Sequence, residues 1–565
     1  MWNTNVQYRA LCKKLKNKQM ALSCTICSLF FVSMVCMNPL FAGVPKVVIV
    51  MVSDACGHRV FNNVRKHFDG GLGSIAQNGY DYCNAMYPYA VPETAPGHTV
   101  ISTGAYPKDN GVVRNDWYDS TGKVVQADKN ADGLFCPHTL EVDTLADQIT
   151  FNQWHDRSVR VYTMSQKPRA AIFMAGHCGK AFWFDAKKGV FTSSAYYYKK
   201  ELPEWVKDFN EKKNDIARAH SFTWELLYPR DSEYYDRDNV GSYKYTSKKS
   251  FIGKHSIDRL TKKEPFESYM RTPMSDALLG KFAETCVKHF HQTSTENESL
   301  LLYVSFSAYD KCCHLFGPER YETLDILYQL DKTIERLMQT THSLYDPKDV
   351  LWVFTADHGS MFIIEDLHDK GFELARRVSG KEFLARVNKR VEEKAGIKKL
   401  FKNVEMGGLY ADKEVLKKLT TDERLRLDDL VTTAISQEPF IVDSWSAPFI
   451  ENVSFTKNDP RALLRNQVYK ERSGDYIFLT RPYTFLSEEK KQKSYDKGTK
   501  HATAYAYDRH VPLFLYQKES IENKRIAQPC EMTQLSPTIA DIMNQPRPSA
   551  CIVDRLSGIV LQGEE

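Results

Sequence analysis

Residues 44–54 read VPKVVIVMVSD, an apolar and β-branched run that ends in an aspartate. Such a run is typical of a strand that is buried on both faces of a parallel sheet. Four further runs of this kind lie at Ser158–Ser165, Leu300–Ser307, Val350–Thr355 and His510–Tyr516. The sequence therefore predicts a large sheet at the centre of the fold.

Helical patterns alternate with these apolar runs along the chain. They lie at residues 72–77, from Thr99 onward, and at 143–151, 321–342 and 532–543. Because strands and helices alternate, we expect an α/β fold, a mostly parallel central sheet with helices on both faces. The prediction covers residues 43–565 as one domain.

Two segments of that unit have a different composition, residues 185–290 and residues 362–500. Both are rich in Lys, Glu, Tyr and Trp and show weak strand signals. We interpret them as insertions or a cap. The charged run Arg386–Lys402 in the second segment predicts an amphipathic helix with a solvated face.

The formal charge of +5 comes entirely from residues 1–42, which hold five basic and no acidic residues. An uncharged, mostly apolar run, Met20–Ala42, follows these basic residues. This order predicts a secretory signal peptide, or an N-terminal anchor if the leader is not cleaved. We therefore expect the body to be periplasmic or secreted, with no membrane contact unless the leader stays attached.

Composition narrows the class of protein further. Apolar residues make up 42% and charged residues 26% of the chain, which is close to globular averages and excludes a disordered, collagen-like or polytopic membrane protein. The formally neutral body disfavours nucleic acid as a partner. Nine cysteines remain outside the leader, and export permits disulfides. Cys530 and Cys551 bracket a predicted helix and are the pair that we expect to be bridged, the alternative being reduced thiols throughout.

Three aspartates follow the ends of predicted strands. Asp54, Asp310 and Asp357 come just after the first, third and fourth apolar runs. Functional sites of parallel sheets form at the carboxyl ends of the strands. We therefore expect these carboxylates to meet at one edge of the sheet.

Three histidines accompany these carboxylates. His314 lies four residues after Asp310, on the same face of a helical turn; His358 adjoins Asp357, and His501 lies in a polar loop. Three Asp and three His ligands suit two Zn²⁺ ions, although ligand type alone does not exclude Mn²⁺ or iron. We interpret the nearby thiols of Cys312 and Cys313 as neighbours of the site rather than ligands.

Thr94 opens the segment Thr-Ala-Pro-Gly-His, just before a helical pattern. A hydroxyl at a helix N-terminus lies in a positive field that stabilises an alkoxide or a phosphate. Beside a metal ion, such a hydroxyl deprotonates near neutral pH and becomes a nucleophile. Without metals, the simpler interpretation is a helix-capping threonine.

Taken together, these motifs resemble the alkaline phosphatase superfamily, in particular the PafA-type bacterial alkaline phosphatases, which are related to type I phosphodiesterases and nucleotide pyrophosphatases. The resemblance runs over most of residues 44–560. Besides the aspartate and histidine motifs, it rests on segments 94–98, 115–118, 167–171, 175–177, 201–205, 305–307, 316–318 and 507–512.

The resemblance implies an exported, zinc-dependent phosphomonoesterase that acts through a phospho-Thr94 intermediate. One zinc ion would be held by Asp310, His314 and His501. The other would be held by Asp54, Asp357, His358 and the oxygen of Thr94.

The same resemblance implies that Asn115, Lys167 and Arg169 bind phosphoryl oxygens, and Lys167 and Arg169 favour small-molecule monoesters because a monoester carries one charge more than a diester. Outside the resemblance, these two residues also fit a surface pair in a loop. The expected oligomeric state is a monomer.

The closest alternative function is that of a phosphodiesterase or nucleotide pyrophosphatase with the same two metals, and a more distant one is that of a non-catalytic phosphate-binding protein. A sulfatase is disfavoured because Thr94 does not head a Cys/Ser-x-Pro-x-Arg motif.

Overall fold

The central sheet has nine strands in the computed structural model, which describes residues 44–152, 158–235, 250–260, 263–456, 459–487 and 498–561. In chain order they are β1 (Val47–Ser53), β2 (Tyr80–Tyr82), β3 (Ser158–Ser165), β4 (Lys180–Asp185), β5 (Val190–Thr192), β6 (Glu298–Phe306), β7 (Val350–Thr355), β8 (Leu513–Tyr516) and β9 (Lys524–Ile526). Their spatial order is β9-β2-β8-β7-β1-β6-β3-β4-β5. The predicted leader lies outside the described residues.

The middle of this sheet is parallel. Five neighbouring strands, β7, β1, β6, β3 and β4, pair in parallel register. All seven residues of β1 are fully buried, so other elements cover both faces of the sheet. The prediction of an α/β fold with a mostly parallel central sheet is confirmed.

The run predicted as one strand over His510–Tyr516 is divided in two. His510–Val511 pairs with Ala85–Met86, whereas β8 joins the central sheet antiparallel to β7. Pro512 lies between the two pieces and has no backbone N–H to donate to a sheet ladder.

The helices match the predicted pattern in most places, and Tyr321–His342 has the predicted bounds. The α-helices of the described residues are His58–Val64, Gly71–Asn78, Thr94–Thr103, Pro107–Asn110, Leu145–Phe151, Pro168–Ala175, Glu204–Asp208, Pro273–Thr293, Ala308–Phe316, Tyr321–His342, Ile364–Asp369, Gly380–Ala395, Lys413–Leu416, Thr421–Ser436, Ala447–Asn452, Pro460–Gln467, Ala506–Arg509 and Leu535–Ile542.

The predicted charged helix Arg386–Lys402 has wrong bounds. The helix is Gly380–Ala395, and it ends at Gly396, whose φ of 68° is left-handed and stops the helix. Residues Phe401–Glu405 then form a strand.

A second sheet forms within the region of weak strand signals. Its four strands are, in spatial order, Phe401–Glu405, Gly408–Ala411, Tyr476–Thr480 and Ile441–Ser446. Helices Gly380–Ala395 and Thr421–Ser436 pack on it around a separate apolar cluster that includes Phe383, Val431 and Tyr476. We call residues 380–487 the second lobe.

Smaller sheets complete the described structure. One has three strands, His510–Val511, Ala85–Met86 and Cys530–Glu531, and three have two strands, Asp116–Tyr118 with Val124–Gln126, Ser221–Trp224 with Gly253–Ser256, and Arg376–Ser379 with Thr484–Ser487. None of the described helices is both long enough and apolar enough to cross a membrane.

The predicted Cys530–Cys551 disulfide is wrong, because both residues are free thiols. Cys530 lies in a strand paired with Ala85, while the Cys551 thiol packs beside Gly104 and donates to the carbonyl of Val553. The helix between the two cysteines therefore separates their thiols into different surroundings.

Candidate active site

Three buried aspartates converge at the carboxyl edge of the central sheet. Asp54 directly follows β1, and Asp357 lies two residues beyond the end of β7. Asp310 lies in the first turn of helix Ala308–Phe316, which follows β6. Because β7, β1 and β6 are neighbours, their ends bring the three carboxylates together, and each of these residues is at most 2% exposed.

One group of potential metal ligands consists of Asp310, His314 and His501. Helical spacing places His314 Nε2 3.3 Å from Asp310 Oδ1, and His501 Nε2 lies 3.9 Å from the same oxygen. This group is the same set that the resemblance assigns to one zinc ion.

A second group consists of Asp54, Asp310 and His358. His358 Nε2 lies 3.5 Å from Asp54 Oδ1 and 3.4 Å from Asp357 Oδ2. Asp357 adjoins this group, and its Oδ1 accepts a hydrogen bond from the backbone N–H of Ala55. The structure therefore places Asp310 between two groups and Asp357 at the edge of one.

Backbone carbonyls orient the three histidines. The Nδ1 atoms of His314, His358 and His501 lie 3.0, 2.8 and 3.1 Å from the carbonyl oxygens of Thr499, Gly359 and Pro92. With the Nδ1 atoms donating to these carbonyls, each Nε2 keeps its lone pair. This arrangement is typical of histidines that ligate a metal through Nε2.

Buried polar atoms that lack hydrogen-bond partners show whether a metal ion would fit this site. Oδ1 of Asp54, Oδ1 of Asp310 and Nε2 of His358 have no hydrogen-bond partner among the described residues, while Oδ2 of Asp54 and of Asp357 are in ion pairs with Lys167 and His98. Buried polar atoms without partners are rare in proteins. Together with the carboxylate and imidazole chemistry, they fit a site for two divalent cations.

The charges in this cluster are strongly coupled. Burial, followed by the charge of Asp357, raises the pKa of Asp54 to about 6. Burial alone would also raise the pKa of Asp310, but the charges of His314 and Lys167 outweigh it and hold this pKa well below its ordinary value.

Thr94 is the first residue of helix Thr94–Thr103 and is 2% exposed. The preceding Glu93 is the N-cap residue, so Thr94 does not cap the helix itself. Its hydroxyl lies 3.3 Å from Lys167 Nζ. The helix N-terminus and the ammonium group both favour negative charge on this oxygen.

Lys167 bridges the two groups of ligands. Its Nζ lies 2.7 Å from Asp54 Oδ2 and 2.5 Å from Asp310 Oδ2. Burial opposes its ionisation, but the carboxylates outweigh burial and raise its pKa above the ordinary value. The structure therefore places the ammonium group among the carboxylates, where it supplies positive charge between the two ligand groups.

Arg169 lies two residues further on, in the first turn of helix Pro168–Ala175, and lines the same cavity as Thr94 and Lys167. It forms no ion pair with any residue in the described ranges. A guanidinium group in this position is available for an anionic oxygen.

Asn115 is held in place by the backbone of the Thr94 segment. Its Oδ1 accepts from the N–H of Ala95 at 2.8 Å, which leaves the Nδ2 group to donate elsewhere. Glu93 fixes the same loop, since its two oxygens accept from the backbone N–H of Asn115 at 2.7 Å and from Arg114 at 2.6 Å.

Sequence reasoning gave no role to several buried residues at this site. His98 Nδ1 lies 2.8 Å from the carbonyl oxygen of Thr94 and 3.2 Å from Asp357 Oδ2, and its Nε2 lies 2.8 Å from Ser305 Oγ. It therefore connects the Thr94 segment to the edge of the sheet that carries the candidate metal ligands. Its place within the Thr94–His98 motif was the signal for this role.

The buried amide of Gln166 was also missed. Its Nε2 donates to Asp276 at 2.6 Å and its Oε1 accepts from the N–H of Ser307 at 2.9 Å. It thus ties the segment before Lys167 to the segment before Asp310.

One cavity of about 950 Å³ contains most of these groups. The predicted site residues that line it are Thr94, Asn115, Lys167, Arg169, Asp310, His314 and His501. Its size is at the upper end of the range for small-molecule sites. A phosphoryl group and an organic alcohol both fit in it.

An α/β sheet that presents two Asp/His groups beside a buried threonine defines a metal-dependent phosphoester hydrolase of the alkaline phosphatase superfamily. The chain belongs to the type I phosphodiesterase / nucleotide pyrophosphatase family, whose sequence model matches residues 48–504. The resemblance to PafA-type alkaline phosphatases is confirmed by the following relatives.

Alkaline phosphatase PafA of Elizabethkingia meningoseptica is 28% identical over 551 residues, which cover 91% of this chain and 94% of that protein. Alkaline phosphatase PhoV of Synechococcus elongatus is 26% identical over 534 residues, with coverage of 90% and 92%. The crystal structure of wild-type PafA superimposes with a TM-score of 0.77 at 25% identity and covers 91% of this chain and 99% of that one.

Proposed function

We propose that this protein is an exported, zinc-dependent phosphomonoesterase that hydrolyses small-molecule phosphate monoesters through a phosphorylated Thr94. The observation that carries the proposal is the position of Lys167 and Arg169 in the cavity of Thr94. A monoester brings two negative charges to its terminal oxygens, and two cationic side chains beside the nucleophile match them. A diester offers one charge and needs room for a second organic group instead.

The Asp and His groups would hold two Zn²⁺ ions, which supply positive charge near the attacking and leaving oxygens and lower the pKa of a neighbouring hydroxyl. With the carboxylates engaged in this way, the ammonium group of Lys167 would be free to bind a phosphoryl oxygen. Arg169 and the Nδ2 group of Asn115 bind the other non-bridging oxygens.

The chemistry proceeds in two displacements at phosphorus. Thr94 Oγ1 gives its proton to solvent and attacks phosphorus in line. The bond between phosphorus and the substrate's alcohol oxygen breaks, and the alkoxide leaves on the opposite side with its electron pair and takes up a proton from water. A water molecule then attacks phospho-Thr94 from the vacated side, which releases phosphate and restores the hydroxyl. Two inversions give net retention of configuration.

Hydrolysis of p-nitrophenyl phosphate and of bis(p-nitrophenyl) phosphate tests this proposal. Wild type and Thr94→Ala are compared as purified, after chelation, and after chelation followed by Zn²⁺ or Mn²⁺. We expect the monoester to be preferred, the variant and the chelated protein to be inactive, and Zn²⁺ to restore the wild type best. Unchanged rates in Thr94→Ala would refute the nucleophile.

A phosphodiesterase or nucleotide pyrophosphatase is the second candidate, favoured by the description of the family to which the chain belongs. It uses the same metal groups and the same threonine. A clear preference for the bis ester in this assay would establish it in place of the monoesterase.

Export is proposed from the leader, residues 1–42. N-terminal sequencing of the protein recovered from the periplasm or the medium tests it, with a new terminus expected near Gly43. Recovery from the membrane fraction with Met1 intact would instead indicate an anchor, and recovery from the cytoplasm would refute export.

A further inference from the structure

The active-site cavity extends well beyond the groups that bind the phosphoryl moiety. Besides the catalytic residues, its lining includes the turn after β4, with Lys187 and Lys188, and Lys263 on a separate segment. At about 950 Å³, the cavity has room for a substantial alcohol group in this outer part. The chemistry of that outer lining therefore bears on which monoesters are preferred.

Positive charge dominates the lining. Of the described residues that line the cavity, nine are Lys or Arg and four are Asp or Glu. The body of the protein is formally neutral, so this excess is local to the cavity. A cleft lined by one sign of charge raises the local concentration of ligands of the opposite sign.

Much of the acidic lining is already engaged. Glu267 lies 3.1 Å from Lys311 and 3.0 Å from Arg271, so one carboxylate is shared by two cations. Asp185 Oδ1 accepts from the backbone N–H groups of Lys187 and Lys188 at 2.8 and 3.2 Å. These carboxylates do little to neutralise the lysine side chains.

The outer lysines are not paired within the protein. Lys187, Lys188 and Lys263 are exposed, and none of them forms an ion pair with another residue of the described ranges. Arg169 lines the same cavity and forms no ion pair within the described ranges, although the charge of Asp116 interacts with it. Cations without an ion-pair partner in the described part of the chain therefore line the same cavity as Thr94.

We propose that the outer part of the cavity, marked by Lys187 and Lys188, binds a second anionic group on the alcohol part of the substrate. The enzyme then prefers phosphate monoesters whose leaving group itself carries a carboxylate or a further phosphate. This inference rests on the proposed phosphomonoesterase activity and narrows its substrate class.

Matched substrate pairs test the inference by their kcat/KM values. Glycerol 3-phosphate is compared with 3-phosphoglycerate for a carboxylate, and fructose 6-phosphate with fructose 1,6-bisphosphate for a second phosphate. In the wild type, we expect the anionic member of at least one pair to be hydrolysed several times better. This advantage decreases as NaCl is raised from about 0.02 to 0.5 M, because salt screens exposed charges.

The variant Lys187→Gln/Lys188→Gln removes the two charges, and Lys199→Gln/Lys200→Gln is its matched control. The control lysines are also exposed and adjacent in sequence, but they do not line the cavity. The advantage of the anionic substrate is expected to fall roughly three- to tenfold in the first variant. In the control it should equal that of the wild type.

Each outcome is decisive. Equal or lower kcat/KM for both anionic members in the wild type, or an unchanged advantage in Lys187→Gln/Lys188→Gln, overturns the inference while leaving the monoesterase intact. Lack of turnover by the wild type of every monoester, with or without a second anionic group, would instead refute the proposed function and this inference with it.

Discussion

Gly97 packs directly against Asp357. A Cβ atom placed on Gly97 would lie 2.8 Å from the Cβ of Asp357 and closer still to its carbonyl oxygen. The helix that begins with Thr94 thus approaches the metal-binding edge so closely that only glycine fits at this position. This contact fixes the position of the Thr94 helix relative to Asp357.

Replacing Gly97 by alanine should therefore move the helix away from Asp357. We expect the free energy of unfolding to fall by about 2 kcal/mol, because overpacking of a dense interior costs roughly this much. Zn²⁺ affinity should fall as well. Denaturant unfolding and a zinc titration measure the two effects. Gly371→Ala is the control, since its φ of 86° is strained but no atom lies near its Cβ; equal zinc affinities in both variants would contradict the prediction.

Thr94→Ala should lower kcat for monoesters by roughly 10³-fold or more, since it removes the attacking oxygen. Thr94→Ser keeps a hydroxyl and should retain part of the activity. Acid-quenched protein incubated with labelled monoester should carry phosphate in the wild type and in Thr94→Ser only. Label in Thr94→Ala would show that another residue is phosphorylated.

Lys167→Ala and Arg169→Ala should each lower the ratio of monoester hydrolysis to diester hydrolysis. Loss of one cationic donor is expected to lower kcat/KM for p-nitrophenyl phosphate by roughly 10²-fold, and that for the bis ester much less. Lys129→Ala, which also lines the cavity, serves as the control. Equal losses for both esters would show that the two cations do not discriminate between them.

Glu93→Gln should impair catalysis through Asn115. Glu93 is 7% exposed and accepts from Asn115 and Arg114, so an amide in its place would direct a donor at a donor. We expect kcat to fall roughly tenfold with a smaller change in KM. Glu405→Gln alters a more distant carboxylate, 3.8 Å from the same arginine, and should have little effect. Similar kinetics in the two variants would argue against this positioning role.

Asp276 should make the stability of the protein depend on pH. Burial raises its pKa to about 7 in the folded protein, from an ordinary value of 3.8. Because the folded state binds this proton more tightly than the unfolded state does, the stabilisation is present at low pH and is lost as pH rises through about 7. Relative to Asp276→Asn, the wild type should lose up to about 4 kcal/mol of unfolding free energy between pH 4 and 9.

Denaturant unfolding of both proteins across this pH range measures the difference. Groups that titrate equally in the wild type and the variant contribute equally to both pH profiles, so their contribution cancels in the difference. Parallel pH profiles would mean that Asp276 is not protonated preferentially in the folded state.

The sequence predicted the central sheet well because its strands are buried on both faces. Ser158–Ser165 and Val350–Thr355 have the predicted bounds, and β1 begins only three residues later than expected. Continuous β-branched runs of this kind are rarely found in any structure other than a buried strand. The strands of the second lobe were harder to predict, because strands such as Ile441–Ser446 expose part of their length and lack such a run.

At the candidate site, strand ends and helical spacing were sufficient to bring Asp54, Asp310 and His314 together. The contact of Lys167 with two carboxylates could not be predicted, because it joins residues that are far apart in the sequence. The hydrogen bonds of Glu93 with Arg114 and Asn115 could not be predicted for the same reason. Charged pairs of this kind depend on tertiary positions that no local pattern encodes.

The second lobe also contributes to the site through Gln467. This buried amide accepts from the backbone N–H of Val91 and donates to the carbonyl of Val113, and thus joins the segments that lead to Thr94 and Asn115. The lobe therefore supports the segments of Thr94 and Asn115 from outside the central sheet.

The order of the ligands along the chain has a consequence for biosynthesis. Asp54, Asp310 and His358 are translated in that order, and His501 follows all three of them. Although β1 is made early, its neighbours β6 and β7 follow hundreds of residues later. The group of Asp310, His314 and His501 therefore cannot form on a nascent chain until His501 has been made and has folded against helix Ala308–Phe316.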